Sequence, residues 1–129
     1  MSPDARDRKL DDLDPRFKPL VFALLARIVE AGIAVMVVET RRTEAQHQAD
    51  LASGHSWITH SLHQDGLAID ICPYETWQMH GDKKADWNAE DFAPLGPIGE
   101  ALGLRWGGRW KDWGHFEYVA PAATPVTVM

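Results

Sequence analysis

Apolar residues recur at three- and four-residue steps through Phe17, Leu20, Val21, Leu24, Leu25, Ile28 and Val29, a single stripe that predicts an amphipathic helix. Asp14-Pro15 suits the approach to it, Pro19 removes an amide donor and moves the regular start to near Lys18, and Gly32 suits the left-handed cap. Residues 33–38 form an unbroken, largely β-branched apolar run of strand length, the pattern of a central strand covered on both faces. Thr43-Glu-Ala-Gln46 has capping-box form and predicts a polar helix from there to about Ser53, ended by Gly54. Residues 67–72 read as a short strand stopped by Pro73. Residues 74–88 are polar, carry Tyr74, Trp77 and Trp87, and show no period, which predicts a long surface loop. Helical tendency over 88–102 is broken by Pro94, Gly96 and Pro97, so the secure part is 98–102, capped by Gly103. Residues 104–106, a Gly107-Gly108 turn and residues 114–119 read as a hairpin.

Composition narrows the picture to one domain. The chain has 129 residues, 45% of them hydrophobic, enough for one real core and no second. Residues 1–129 are therefore expected to form a single domain, with 1–13 and 120–129 loosely ordered. The net charge is -6 with Lys and Arg scattered, so no basic stripe exists to track phosphates, and nucleic acid is not an expected partner. The single cysteine, Cys72, excludes an internal disulfide. The charged start from Met1 to Asp14 lacks the apolar core of a signal peptide, and no apolar run approaches the roughly 20 residues of a membrane span. A cytoplasmically made monomer without stable membrane insertion is expected.

Two short stretches concentrate the chemistry. In Ser61-Leu-His-Gln-Asp-Gly-Leu-Ala-Ile-Asp70, Gly66 permits a tight turn between His63 and a strand that carries Asp70. In Asp112-Trp-Gly-His115, a second histidine leads another short strand. His63, Asp70 and His115 together give two imidazoles and one carboxylate, the ligand count of a catalytic zinc site that keeps a fourth position for water, with Asp112 as general base. His47, His55 and His80 read as ordinary hydrogen-bonded histidines. His60 is placed outside the ligand set because an irregular loop separates it from His63. Cys72 shares the strand face of Asp70 but reads as a buried apolar-like cysteine rather than a soft ligand.

With Ser-x-His-x-x-Gly-x-Ala-x-Asp at 61–70 and Trp-Gly-Gly ahead of Asp-x-x-His at 112–115, the chain resembles the zinc D-alanyl-D-alanine carboxypeptidase and dipeptidase family. Within it the sequence is most like the phage endolysins that act as L-alanyl-D-glutamate peptidases. The resemblance covers about 14–118. It implies an α+β fold with helices on one side of a small, mostly antiparallel sheet, as in Hedgehog and DD-peptidase domains, and with zinc on the other face. It implies zinc ligands His63, Asp70 and His115, Asp112 as catalytic acid/base, and Ser61 as a substrate contact. Arg41-Arg42-Thr43 corresponds to the family's Tyr-Arg-Thr element, so Arg42 would face the reacting carbonyl, with Gln46 following as a substrate contact.

The activity implied is cleavage of the L-alanyl-D-glutamate bond in the peptidoglycan stem peptide by an endolysin that acts on the wall after release. A D-alanyl-D-alanine carboxypeptidase shares every catalytic residue, and a zinc-bearing binding module without turnover is a third reading, which the presence of Asp112 and Arg42 opposes. Two departures stand out: Arg41 replaces the usual tyrosine, and Gly114 stands where a proline commonly precedes the last histidine. For Arg42 the competing role is an ion pair with Glu39 or Asp50. For Asp112 it is a turn residue that satisfies nearby amides.

Overall fold

The computed structural model describes residues 6–54 and 61–121. Helix α1 (Lys18–Glu30) starts where Pro19 requires and buries Val21, Leu24 and Ile28, while Gly32 follows in the left-handed region at φ 79°. Val29 lies outside the core at 68% exposure, so the buried stripe is narrower than the sequence pattern suggests. Helix α2 (Glu44–Ser53) is capped by Thr43, whose side chain accepts from the Gln46 amide, and ends at left-handed Gly54. Strands β1 (Val35–Glu39), β2 (Ala68–Pro73), β3 (Arg105–Trp106) and β4 (His115–Glu117) form one antiparallel sheet in the order β1-β2-β4-β3. This is the α+β class that the sequence implies.

Alternation along the two central strands divides their side chains. Ile69 pairs with Phe116 and joins Ile71 in the core, whereas Asp70 pairs with His115 and Ala68 with Glu117 on the opposite face. Helix α5 (Leu95–Ala101) lies close against the core face, since a β-carbon at Gly99 would sit 2.3 Å from the Phe116 ring. Phe17, Val21, Leu24, Ile28, Phe92 and Leu95 complete the packing. No helix among the described residues is long and apolar enough to cross a membrane.

Several expectations are corrected by long-range packing. The apolar run at 33–38 yields an edge strand; the central positions go to β2, buried along its whole length, and to β4. The stretch 74–88 is folded: helix α3 (Tyr74–His80) follows Pro73 directly, and a short 3-10 turn spans Lys84–Asp86. Its Trp87 is a core residue, stacked on Phe92 with its indole N–H donating to the Gly81 carbonyl, while Tyr74 remains exposed. Helix α4 (Ala89–Phe92) is capped by Asn88, and α5 begins at Leu95, earlier than expected, because Pro97 falls in its first turn, where no amide donor is needed. The hairpin does not turn at Gly107-Gly108 alone; a 3-10 turn (Gly107–Trp110) and left-handed Lys111 intervene.

The N-terminal residues 6–13 are tied down rather than loose. The Asp7 carbonyl accepts from both the amide and the hydroxyl of Thr40, Arg8 Nε donates to the Val38 carbonyl, its guanidinium lies 5.1 Å from the Trp77 ring, and Leu13 is buried. They cover the open edge of β1, whose unpaired backbone groups would otherwise face solvent. Residues 1–5 and 122–129 lie outside the described residues, as do His55 and His60.

Gly114 joins the central strands at close range. Its carbonyl accepts from the Ile71 amide at 2.9 Å, and a β-carbon there would lie 2.1 Å from the Ile71 carbonyl oxygen, which explains why no side chain occupies this position. Gly114→Ala should therefore destabilise the fold by about 1–3 kcal/mol, the usual range for overpacking. Thermal melts followed by circular dichroism would read this, and an unchanged melt would mean that β2 and β4 separate without strain.

Candidate metal centre

His63, Asp70 and His115 arrive from three elements. A 3-10 turn (Leu62–Asp65) carries His63, with Ser61 capping it: the Ser61 hydroxyl oxygen accepts from the His63 amide, and the Gln64 side chain accepts from the Ser61 amide. Gly66 reverses the chain at φ 71° and delivers Asp70 on β2, opposite His115 on β4. All three side chains are buried, and one ligand atom from each lies within 4.8 Å of the others.

Hydrogen bonds fix how each imidazole faces the centre. His63 Nδ1 is 2.9 Å from the Thr40 carbonyl oxygen, which can only accept, so Nδ1 carries the proton and Nε2 points at Asp70 Oδ1, 3.3 Å away. His115 uses the other edge. Its Nε2 donates to Glu117 Oε1 at 2.8 Å, leaving Nδ1 3.2 Å from Asp70 Oδ1. Tying the far nitrogen to a carbonyl or carboxylate is how metal-ligating histidines are oriented. Two imidazoles and one carboxylate suit a zinc ion, so the residues present fit such a group.

The charges follow the same logic. Burial opposes a charged His115, but Asp70 and Glu117 outweigh it and push its pKa up to about 10. Burial likewise works to raise Glu117, and the His115 hydrogen bond and charge reverse that and lower it. Asp112, whose Oδ2 lies 3.7 Å from His115 Nδ1, is shifted upward, first by lost hydration and then by the charge of Asp70. A half-open carboxylate with a raised pKa beside the centre suits proton transfer.

Arg42 stands at the wall of an adjoining cleft of about 550 Å³, which Asp70, Glu39, Lys83 and Lys84 also line. Its guanidinium is 2.5 Å from Glu39 Oε1 and 3.4 Å from Asp50 Oδ2, the ion pair that the sequence left as its competing role. Arg6 reaches the same two carboxylates, at 2.8 Å from Glu39 and 3.0 Å from Asp50. Gln46 is buried, donates to Asp50 at 3.0 Å and keeps its Oε1 without a protein partner among the described residues. His47 is fully buried, 3.4 Å from Arg42, as an ordinary core histidine. Cys72 is buried away from the ligand set, with its pKa pushed up to about 12 by burial.

Sequence reasoning missed four supports of this centre. Glu117 was legible as a partner, since residues two apart on a strand share a face. The carbonyl of Thr40, the guanidinium of Arg6 and the ammonium of Lys84, 2.9 Å from Asp70 Oδ2, carry no local signal.

The Arg6 pairing has a measurable consequence. Burial would raise the pKa of Asp50, but Arg6 and Arg42, with the Gln46 hydrogen bond, hold it below the ordinary value. Its stabilising contribution is complete above the unfolded carboxylate value of about 3.9 and is lost as pH falls through the lower folded value. Arg6→Ala should cost up to about 3 kcal/mol near neutral pH, the low end for a broken buried pair because Arg42 remains. Urea melts should show that cost shrinking below about pH 4. A pH-independent difference would assign the loss to packing instead.

Comparisons with known proteins bear on the family and the fold. A family model described as D-alanyl-D-alanine carboxypeptidase matches residues 54–118. The L-alanyl-D-glutamate peptidase of Listeria phage A118 is 34% identical over 83 residues, which are 62% of this chain but only 27% of the phage protein. The peptidoglycan L-alanyl-D-glutamate endopeptidase CwlK of Bacillus subtilis is 30% identical over 126 residues, 84% of this chain and 74% of that one. Among solved structures, the Serratia marcescens L-Ala D-Glu endopeptidase ChiX superposes with a TM-score of 0.67 at 20% identity, over 90% of this chain and 91% of that one. The D,D-pentapeptidase VanY from a VanB-type resistance cassette, solved with Zn(II), gives 0.59 at 19% identity, over 84% and 73%. The last two likenesses speak to the fold; the matching family model and the CwlK alignment place this chain in the D-alanyl-D-alanine carboxypeptidase family of peptidases.

Proposed function

We propose that this chain is a zinc-dependent peptidase that cleaves the L-alanyl-D-glutamate bond of the peptidoglycan stem peptide, as a phage endolysin does. The observation that carries the reading is the buried His63, Asp70 and His115 set with Asp112 at its open edge. Two curated relatives named for this bond, one from a phage, support the choice of substrate.

His63 through Nε2, Asp70 through Oδ1 and His115 through Nδ1 would hold the ion. When bound, zinc supplies Lewis-acid polarisation of the peptide carbonyl and acidification of water. Asp112 takes the proton of the attacking water and passes it to the leaving amine, and its raised pKa suits both halves of that task. Arg42, fixed by Glu39 and Asp50, presents a preorganised cation to the developing oxyanion, a role worth roughly 3–4 kcal/mol per well-placed donor. Gln46, whose Oε1 has no partner among the described residues, and Ser61, whose hydroxyl oxygen caps the turn that carries His63, serve as substrate contacts.

A second reading is D-alanyl-D-alanine carboxypeptidase activity, favoured by the description of the matching family. Digestion of purified peptidoglycan by the zinc-loaded protein, with mass analysis of the products, separates the two. New L-alanine carboxyl ends and D-glutamate amino ends are expected. Release of terminal D-alanine with the L-alanyl-D-glutamate bond intact moves the assignment to the second reading, and no cleavage at all leaves a binding module. Asp112→Asn should keep its zinc and lose at least about a hundredfold in turnover. Retained activity would move the base to another carboxylate.

A further inference from the structure

Asp70 meets the two imidazoles through Oδ1 alone, while its second oxygen, Oδ2, is taken by Lys84 Nζ at 2.9 Å. Lys84 is not part of either sequence motif. It reaches the centre from the 3-10 turn after α3, and that turn is braced. The Trp87 amide donates to the Lys84 carbonyl, and the Trp87 ring is locked in the core against Phe92. The same ring lies 5.8 Å from the ammonium. The position of Lys84 is therefore built into the fold.

On the metallopeptidase reading above, we infer that Lys84 is a positioning residue that holds Oδ2 of Asp70 and so commits this carboxylate to the metal through one oxygen. A carboxylate free at both oxygens can rotate and chelate an ion with both, which consumes a position that a catalytic site keeps open. The hydrogen bond from Lys84 removes that option. The ammonium's charge opposes a bound cation, whereas its hydrogen bond restrains the ligand itself, and the direction of the affinity change weighs the one against the other. Outer partners of metal ligands commonly set affinity by such restraint.

The test uses the full chain, stripped of metal and titrated with zinc against a chromophoric chelator. Lys84→Met, which keeps the aliphatic stem and removes the donor, leaves Asp70 to be ordered by the ion itself, a cost set against any gain from a second oxygen, and should bind zinc about tenfold or more weakly, within the range seen for loss of an outer-shell partner. Lys84→Arg should recover most of the affinity, and Lys18→Met, a lysine change at the start of α1 and outside the cleft, should leave it unaltered. The cobalt(II)-loaded Lys84→Met protein should also lose visible absorbance, as expected when coordination number rises. Circular dichroism checks each fold, and Lys84→Ala, which also lacks a donor, replaces the methionine variant if that one fails to fold.

Equal or tighter zinc binding by the donor-less variant overturns the inference, the tighter result marking the ammonium as a placeholder that the ion must expel. If the unaltered chain takes up no zinc, the metal centre itself is wrong and the role of Lys84 falls with it.

Discussion

A single buried carboxylate, Asp70, is the constraint on which the rest of the centre depends. Burial alone would raise its pKa and discharge it, yet Lys84, His63 and His115 hold it well below the ordinary range. Each of those groups must then be delivered to within hydrogen-bond reach by a different element. His63 comes from a capped 3-10 turn, His115 from β4, and Lys84 from the turn behind Trp87. A buried charge left without its partners is strongly destabilising, so the packing that brings them together and the chemistry they perform are one requirement.

The sheet meets this requirement by a local irregularity. The register of β1 against β2 slips between Val37 and Glu39, so Glu39 lies opposite Asp70 rather than one residue further along. Without that bulge the two-residue period would turn Glu39 toward the core face with Ile69. With it, Glu39 stands 3.6 Å from His63 Nδ1 and receives both Arg6 and Arg42. The bulge thus couples the N-terminal residues to the metal centre through one side chain.

What was legible in the sequence was whatever short spacing encodes. The helix start at Lys18, the Thr43 cap and the glycine at 66 all depend on residues within a few positions of one another, and the structure realises each of them. The edge placement of β1 was not legible, because an apolar run of that length is compatible with either a central or an edge strand and only partner strands decide. Residues 74–88 misled for a related reason. Their polarity is real, but Trp77 and Trp87 are anchors toward a core that the local pattern cannot locate. The docking of residues 6–13 depends on carbonyls and guanidinium groups meeting residues more than thirty positions away, for which no periodicity exists.

The two roles weighed for Arg42 turn out to be compatible in physical terms. An arginine that stabilises an oxyanion must be held still before the substrate arrives, or the cost of ordering it cancels its contribution. Glu39 and Asp50 provide that restraint, and they would neutralise Arg42 if it were their only cation. Arg6 supplies the second positive charge, so the cluster carries two guanidinium groups against two carboxylates and is balanced rather than net negative. The ion pair and the proposed role therefore do not exclude one another, and Arg6, which the sequence assigns to a loose end, lines the cleft beside Arg42.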